Sequence, residues 1–198
     1  MPFINAPGYV NCTVPKIIKN DQIILGIDPG TQVMGYGIIK ISNNSYHAIQ
    51  YGVIHLTKYT THELKLKKIF DCVSGLIEEF MPDEVALEAP FYGKNVQSML
   101  KLGRAQGVAM AAALSKEIPI TEYAPKKVKV AVTGNGNASK EQVAKMIMQL
   151  LKIKQEPKLL DATDALAVCL CHHFKAGSVK STSTSWKAFV SKNPGRVK

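Results

Sequence analysis

The chain has 198 residues, with 25 Lys and Arg against 15 Asp and Glu, a formal net charge of +10. That length suits one domain with a core of its own, and a hydrophobic fraction of 46% excludes a mainly disordered chain. No apolar run approaches the ~18 residues a membrane span requires, Met1 to Gln22 lacks the apolar core of a signal peptide, and a pI near 9.4 points to a polyanionic partner, nucleic acid first.

The charge is unevenly placed. Lys175 to Lys198 holds six basic residues and no acid, and Lys116 to Lys158 holds nine lysines against four acids. Asp71 to Glu88 carries six acids and no base. Cys12, Cys72, Cys169 and Cys171 form no paired framework, which suits a reducing compartment and predicts a cytoplasmic protein.

In chain order, residues 1–22 read as an N-terminal extension, expected to be flexible. Ile23 to Asp28 is a short apolar run stopped by Asp28-Pro29-Gly30, a strand-to-turn signal. Gly35 to Ile41 and Tyr46 to His55 read as two more strands, and the short turns between them predict an antiparallel meander. Leu66, Ile69, Phe70, Val73, Leu76, Ile77 and Phe80 recur at helical spacing, predicting an amphipathic helix over Thr61 to Phe80. Glu84 to Glu88 is a strand that ends on an acid.

Val96, Met99, Leu100, Gly103, Gly107 and Met110 follow helical spacing through an Ala-rich segment that ends near Ser115. Ile118 to Glu122 reads as a strand and Ala124 to Val132 as a short basic helix. Ser139 with Gln142 three residues on is a capping-box pattern opening a helix, and Pro157 separates that helix from a last one over Leu160 to Phe174. The order β-β-β-α-β-α-β-α-α-α predicts an α/β domain with a mixed five-stranded sheet and helices on both faces. Residues 175–198 read as a basic, Ser/Thr-rich C-terminal tail.

Four acids stand out. Asp28 and Glu88 each end an apolar strand, and Asp161 and Asp164 lie i, i+3 on one helix face. If the two strands are parallel neighbours, both acids emerge at one sheet edge, and a final helix crossing that edge adds the other two. Four clustered carboxylates repel one another and call for protonation or a cation. Hard oxygen ligands favour Mg²⁺ or Mn²⁺ over zinc, and two such ions suit phosphodiester hydrolysis. Singly, each acid has a plainer reading: a turn residue at Asp28, a strand end at Glu88, a helix cap at Asp161, a first-turn acid at Asp164. Cys169, Cys171, His172 and His173 resemble a zinc cluster in composition, but one helix presents adjacent residues in divergent directions. His172 stands about 16 Å along the helix from Asp161, too far to share an ion.

The order of several segments is more specific. Ile24-Leu25-Gly26-Ile27-Asp28-Pro29-Gly30-Thr31, Gly35-Tyr36-Gly37, Leu87-Glu88-Ala89-Pro90-Phe91-Tyr92-Gly93-Lys94-Asn95 and Leu102-Gly103-Arg104-Ala105-Gln106-Gly107-Val108 appear in turn. Glu122-Tyr123-Ala124-Pro125, Val128-Lys129 and Asp161-Ala162-Thr163-Asp164-Ala165-Leu166-Ala167 follow. In this order they resemble the RuvC family of Holliday junction resolvases over roughly residues 23–174.

The resemblance implies an RNase H-like nuclease domain that acts as a homodimer. It implies symmetric paired nicks in two opposing strands of four-way junction DNA, in recombination and repair, with 5′-phosphate products. It assigns Asp28, Glu88, Asp161 and Asp164 to catalysis and to metal, with two Mg²⁺ ions per subunit expected and Mn²⁺ able to substitute. Phe91, and with it Tyr92 and Lys94, corresponds to a junction-contacting segment in which an aromatic suits stacking on an unpaired base. Lys129 and Lys140 correspond to basic residues near the scissile DNA, where they would contact phosphate; Lys126 and Lys127 read equally well as solvated lysines. Gly103 and Gly107 fit either dimer packing or helix-on-sheet packing. The RuvA–RuvB branch-migration machinery is the implied partner.

Other readings compete. Gly26-Ile27-Asp28-Pro29-Gly30-Thr31 also resembles the phosphate-binding turn of actin-like ATPases and sugar kinases, but those need two lobes and a second such turn. A related nuclease acting on ribosomal RNA would share the fold, and a DNA-binding module without activity would not need all four acids.

Overall fold

The computed structural model describes residues 21–43, 45–90, 95–154 and 160–179. Within them the chain forms β1 (Asp21–Asp28), β2 (Val33–Ser42), β3 (Ser45–His55), α1 (His62–Phe80), β4 (Glu84–Glu88), α2 (Val96–Leu114), β5 (Ile120–Tyr123), α3 (Pro125–Thr133), α4 (Lys140–Leu150) and α5 (Leu160–Val179). The strands make one sheet in the order β3-β2-β1-β4-β5. The first three strands pair antiparallel, and β1–β4 and β4–β5 pair parallel. The expected mixed five-stranded sheet is present.

Alternation along the central strands sorts side chains into two cores. Leu25, Ile27, Val85 and Leu87 point to one face, where Ile69, Val73 and Ile77 of α1 and the alanines of α2 cover them. Ile24, Ile39 and Ala86 point to the other, beneath α3, α4 and α5. Helices therefore lie on both faces of the sheet. Among the described residues no helix is long and apolar enough to cross a membrane.

The element ends have local causes. Among the described residues β1 includes Asp21 and Gln22 ahead of the apolar run, and polar contacts hold this stretch. Asp21 accepts from the Ser42 hydroxyl at 2.6 Å and pairs with Lys40 at 2.7 Å. Asp83 accepts from the Ile23 amide at 2.8 Å. Thr61 caps α1 by accepting from Leu64 N, and Asn95 caps α2 by accepting from Ser98 N. Pro125 opens α3, and Gly134 closes it in the left-handed region at φ 74°. Ser139 and Gln142 form the full capping box at α4. α5 runs on past Phe174 to Val179.

Two helix faces differ from a simple reading of their spacing. Phe70, on the apolar stripe of α1, is 40% exposed. On α2 the buried residues are Ala105, Gln106, Ala109, Ala112 and Ala113, while Val96 (65%), Leu100 (51%) and Leu114 (60%) face out. Small residues let α2 approach α1 closely, which leaves the bulkier stripe outside. A Cβ on Gly103 or Gly107 would meet nothing within 4 Å, so neither glycine serves packing on the sheet.

Glycines determine how α5 lies on the sheet. Gly26 and Gly37 face each other across β1 and β2, and Gly35 lies opposite Asp28. A Cβ on Gly37 would stand 2.7 Å from the Leu166 side chain, and one on Gly35 2.6 Å from the carbonyl carbon of Asp161. A Cβ on Gly26 would collide with Ala165 and Cys169. The backbone of α5 rests on this bare stripe, and its first turn is thereby carried to the end of β1.

Candidate active site

Asp28 is the last residue of β1 and Glu88 the last of β4. The parallel register pairs Ile27 with Leu87, so the two acids stand side by side just beyond it. Strand alternation turns both toward the face that α5 covers. Asp161 and Asp164 lie in the first two turns of α5, which begins at Leu160.

Asp28, Asp161 and Asp164 each offer a carboxylate oxygen within 4.8 Å of the others. Glu88 lies outside that triad but close enough that its charge acts on Asp28 and Asp164 acts on it. Burial pushes the Asp28 carboxyl up to about 8, with Glu88, Asp164 and Asp161 adding to the effect. Burial and then Asp164 push Glu88 up to about 7, against the fields of Lys140 and Lys129. Asp164 is also raised, by burial, although its hydrogen bond to Lys140 opposes the shift. Stacked negative charge in a low-dielectric corner favours the protonated forms unless a cation is supplied.

One cation comes from the chain itself. The Lys140 ammonium lies 2.7 Å from Asp164 Oδ2 and 3.5 Å from Asp161 Oδ1. Burial works against its charge, but the Asp164 hydrogen bond and the fields of Asp164, Asp28 and Asp161 outweigh it and hold Lys140 above the usual lysine range. Lys129 Nζ donates to the Ala138 carbonyl at 2.7 Å, tying α3 to the turn before α4, and its charge reaches Glu88 and Asp164. Donors that are all carboxylate oxygen, together with the stand-in ammonium, fit a hard divalent cation.

The sequence therefore locates the acids, and the structure brings Asp28, Asp161 and Asp164 together with Glu88 beside them. It brings Lys140 into the acids, a contact the sequence pattern did not foretell. Phe91, Tyr92 and Lys94 lie outside the described residues. Lys126 and Lys127 line a separate cavity of about 410 Å³ with Val130, Ala131, Phe174 and Lys175, none of them an acid.

His172 is no metal ligand of this cluster. It is 4% exposed, its Nδ1 is 2.8 Å from the Tyr123 hydroxyl and its Nε2 is 2.6 Å from Glu84 Oε2. Glu84 also accepts from Gln22 Nε2 at 2.8 Å. This polar chain joins β1, β4 and β5 to α5, and its Tyr123 is the cross-strand neighbour of Glu88. Cys169 is likewise structural, its thiol directed at the carbonyls of Ile24 and Gly37 and pushed up by complete burial. The glycine stripe was the positioning feature hardest to see in advance. Its signal was the spacing of Gly26, Gly35 and Gly37 on two consecutive strands.

A five-stranded sheet in this order, with three helices over one face, defines an RNase H-like single domain, and it carries a carboxylate cluster at the ends of its central parallel strands. Comparison with known proteins specifies it further. Residues 24–172 match the family model of crossover junction endodeoxyribonuclease RuvC, and the chain belongs to the RuvC family.

Among curated relatives, the RuvC of Cytophaga hutchinsonii is 62% identical over 96% of this chain and 94% of its own. That of Christiangramia forsetii is 56% identical over 92% and 96%. Among solved structures, Thermus thermophilus RuvC superposes with a TM-score of 0.73 at 29% identity, covering 80% of this chain and 97% of that one. T. thermophilus RuvC in complex with a Holliday junction substrate gives 0.71 at 28% identity, covering 79% and 96%. The family match runs across almost the whole described domain, which sets aside the two-lobed kinase reading.

Proposed function

We propose that this chain is a Mg²⁺-dependent endonuclease that resolves four-way DNA junctions by paired, symmetric nicks. The observation that carries the reading is the convergence of Asp28, Asp161 and Asp164 within 4.8 Å, at the positions where the family pattern has its acids. The relatives named crossover junction endodeoxyribonuclease and the T. thermophilus complex with a junction substrate support the substrate class.

In this reading Asp28, Glu88, Asp161 and Asp164 hold the metal, two Mg²⁺ ions per subunit with Mn²⁺ able to substitute. When bound, such ions supply an activated water and stabilise the leaving oxygen of the phosphodiester. The chain's own part is positioning. Asp28 and Glu88 are fixed by strand register, and Asp161 and Asp164 by a helix seated on bare backbone. Ionising the whole cluster stacks like charges that repel one another and a phosphate, so full engagement of DNA at the acids waits on the cation. Lys129, held to the Ala138 carbonyl, directs positive charge at the same rim and binds the scissile strand's phosphate. Phe91, three residues after Glu88 in sequence, contacts the branch point together with Tyr92 and Lys94, and its aromatic ring stacks on an opened base.

Two nicks on opposing strands need two sites, and the homodimer provides them. The outward apolar stripe of Val96, Leu100 and Leu114 on α2, with Gly103 and Gly107 open beside it, supports a helix-on-helix subunit contact. The protein works in the cytoplasm, in recombination and repair, with the RuvA–RuvB branch-migration complex.

The test is cleavage of a labelled synthetic four-way junction by the full chain. Nicks at symmetric positions, resealed by ligase and dependent on Mg²⁺, are expected. Equal cleavage of linear duplex, or nicks that persist in EDTA, would overturn the assignment.

A further inference from the structure

Lys140 is the first residue of α4, and its place is fixed by the capping box. Gln142 N donates to Ser139 Oγ at 3.3 Å, and Ser139 N donates to Gln142 Oε1 at 2.8 Å. From that anchored start the side chain reaches two of the clustered acids, at 2.7 Å from Asp164 and 3.5 Å from Asp161. Both acids belong to the triad whose oxygens converge within 4.8 Å. The ammonium therefore sits on two of the three acids that a divalent cation would need. Two positive centres sharing those acids would stand within a few ångströms of each other, where repulsion is severe in a partly buried site.

The two partners are unequal in mobility. Asp164 is held in α5, with its side chain 13% exposed, whereas the Lys140 side chain is 53% exposed on a flexible four-carbon stem. When the two cations compete, the lysine is the group able to leave.

We infer that Lys140 is the resident counter-ion of the metal-free site, displaced outward when a divalent cation binds and thereby made available to a DNA phosphate. The inference rests on the metal-binding role given to the acids above. It assigns Lys140 two successive partners: Asp164 and Asp161 in the metal-free protein, and phosphate once metal has entered. Metal loading and DNA grip are then coupled through one side chain, because each favours the lysine's release from the acids. Lys129 has no such exchange to make, since its bond is to a backbone carbonyl.

The test is a Mn²⁺ titration of the DNA-free full chain by electron paramagnetic resonance, comparing wild type with Lys140→Met, Lys140→Gln and Lys129→Met. Removing the internal competitor is expected to tighten Mn²⁺ binding about tenfold in both Lys140 variants, and by much less in Lys129→Met. The same Lys140 variants should bind junction DNA more weakly in Ca²⁺, because the released ammonium is gone. Mn²⁺ affinity unchanged or weakened in Lys140→Met and Lys140→Gln would overturn the inference, as would an equal gain in Lys129→Met. Thermal melts in EDTA confirm that each variant is folded before it is titrated. Junction cleavage by wild type is scored separately. Tighter Mn²⁺ binding in a protein that cleaves no junction refutes the proposed function and leaves the counter-ion standing, and cleavage without the affinity change does the reverse.

Discussion

Gly35→Ala tests how the fold builds the site. Gly35 lies opposite Asp28 in the β1–β2 register and directly beneath the first turn of α5. A Cβ there would stand 2.6 Å from the carbonyl carbon of Asp161, whereas ordinary contact begins at 3.4 Å. The N-terminal turn of α5 must therefore lift by at least 0.8 Å, the difference between those two distances, and both clashing groups are backbone, which cannot rotate away. Overpacking of this kind costs about 1–3 kcal/mol. Displacement of catalytic groups on the order of 1 Å costs about 10²-fold in rate. Urea denaturation should show the stability loss, and single-turnover junction cleavage in saturating Mg²⁺ should show the larger kinetic one. Gly75→Ala on α1 is the control, because its Cβ would meet nothing within 4 Å and alanine favours a helix by about 1 kcal/mol. A Gly35→Ala protein with wild-type stability and rate would refute the argument that α5 is seated by bare backbone.

Two further outcomes follow from the charges and the buried polar chain. Asp28 and Glu88, at about 8 and about 7, lie above their ordinary values of 3.8 and 4.5. Their contribution to stability is thus full below about pH 4, declines progressively as the pH rises, and is gone above 7 to 8. In EDTA the wild-type melting temperature should fall relative to Asp28→Asn across the whole interval from about pH 4 to about pH 8 and level off above it, and a constant difference between the two proteins would contradict the raised values. His172→Ala leaves Glu84 and the Tyr123 hydroxyl without their imidazole partner, a loss of about 3 kcal/mol in urea. Cleavage per folded molecule should be unchanged in this variant, since the ring is about 16 Å along α5 from Asp161. A specific loss of activity in the folded fraction would place His172 in the chemistry.

Much of this architecture was legible in local pattern. A continuous apolar run bounded by acids marked β4 at Glu84–Glu88, and the Ser139–Gln142 pair marked the start of α4. The acids were legible because Asp28 and Glu88 end strands and Asp161 and Asp164 share one face at the start of a helix, and the family resemblance joined them into one set. What remained hidden depends on which surfaces meet. Spacing on α2 identifies a helix, but both its alanine face and its Val96–Leu100 stripe are apolar, and periodicity cannot say which one turns inward. Close approach to α1 selects the alanines. The family resemblance implied a phosphate contact for Lys140, while its contact with the acids was hidden, because a lysine at a helix start carries no mark of the acids that α5 brings to it from 21 residues further on. His172 suggested a ligand by its neighbours, whereas its partners, Tyr123 and Glu84, come from strands far away in sequence.

The central claim is that the acids at the ends of β1 and β4 and in the first turns of α5 form one metal-dependent nuclease site. Asp28→Asn removes one carboxylate charge at nearly constant volume, and a paired assay on a synthetic four-way junction reads the result. Retained junction binding in Ca²⁺ with cleavage lost in Mg²⁺ is the outcome the account predicts, and full cleavage by the variant would contradict it.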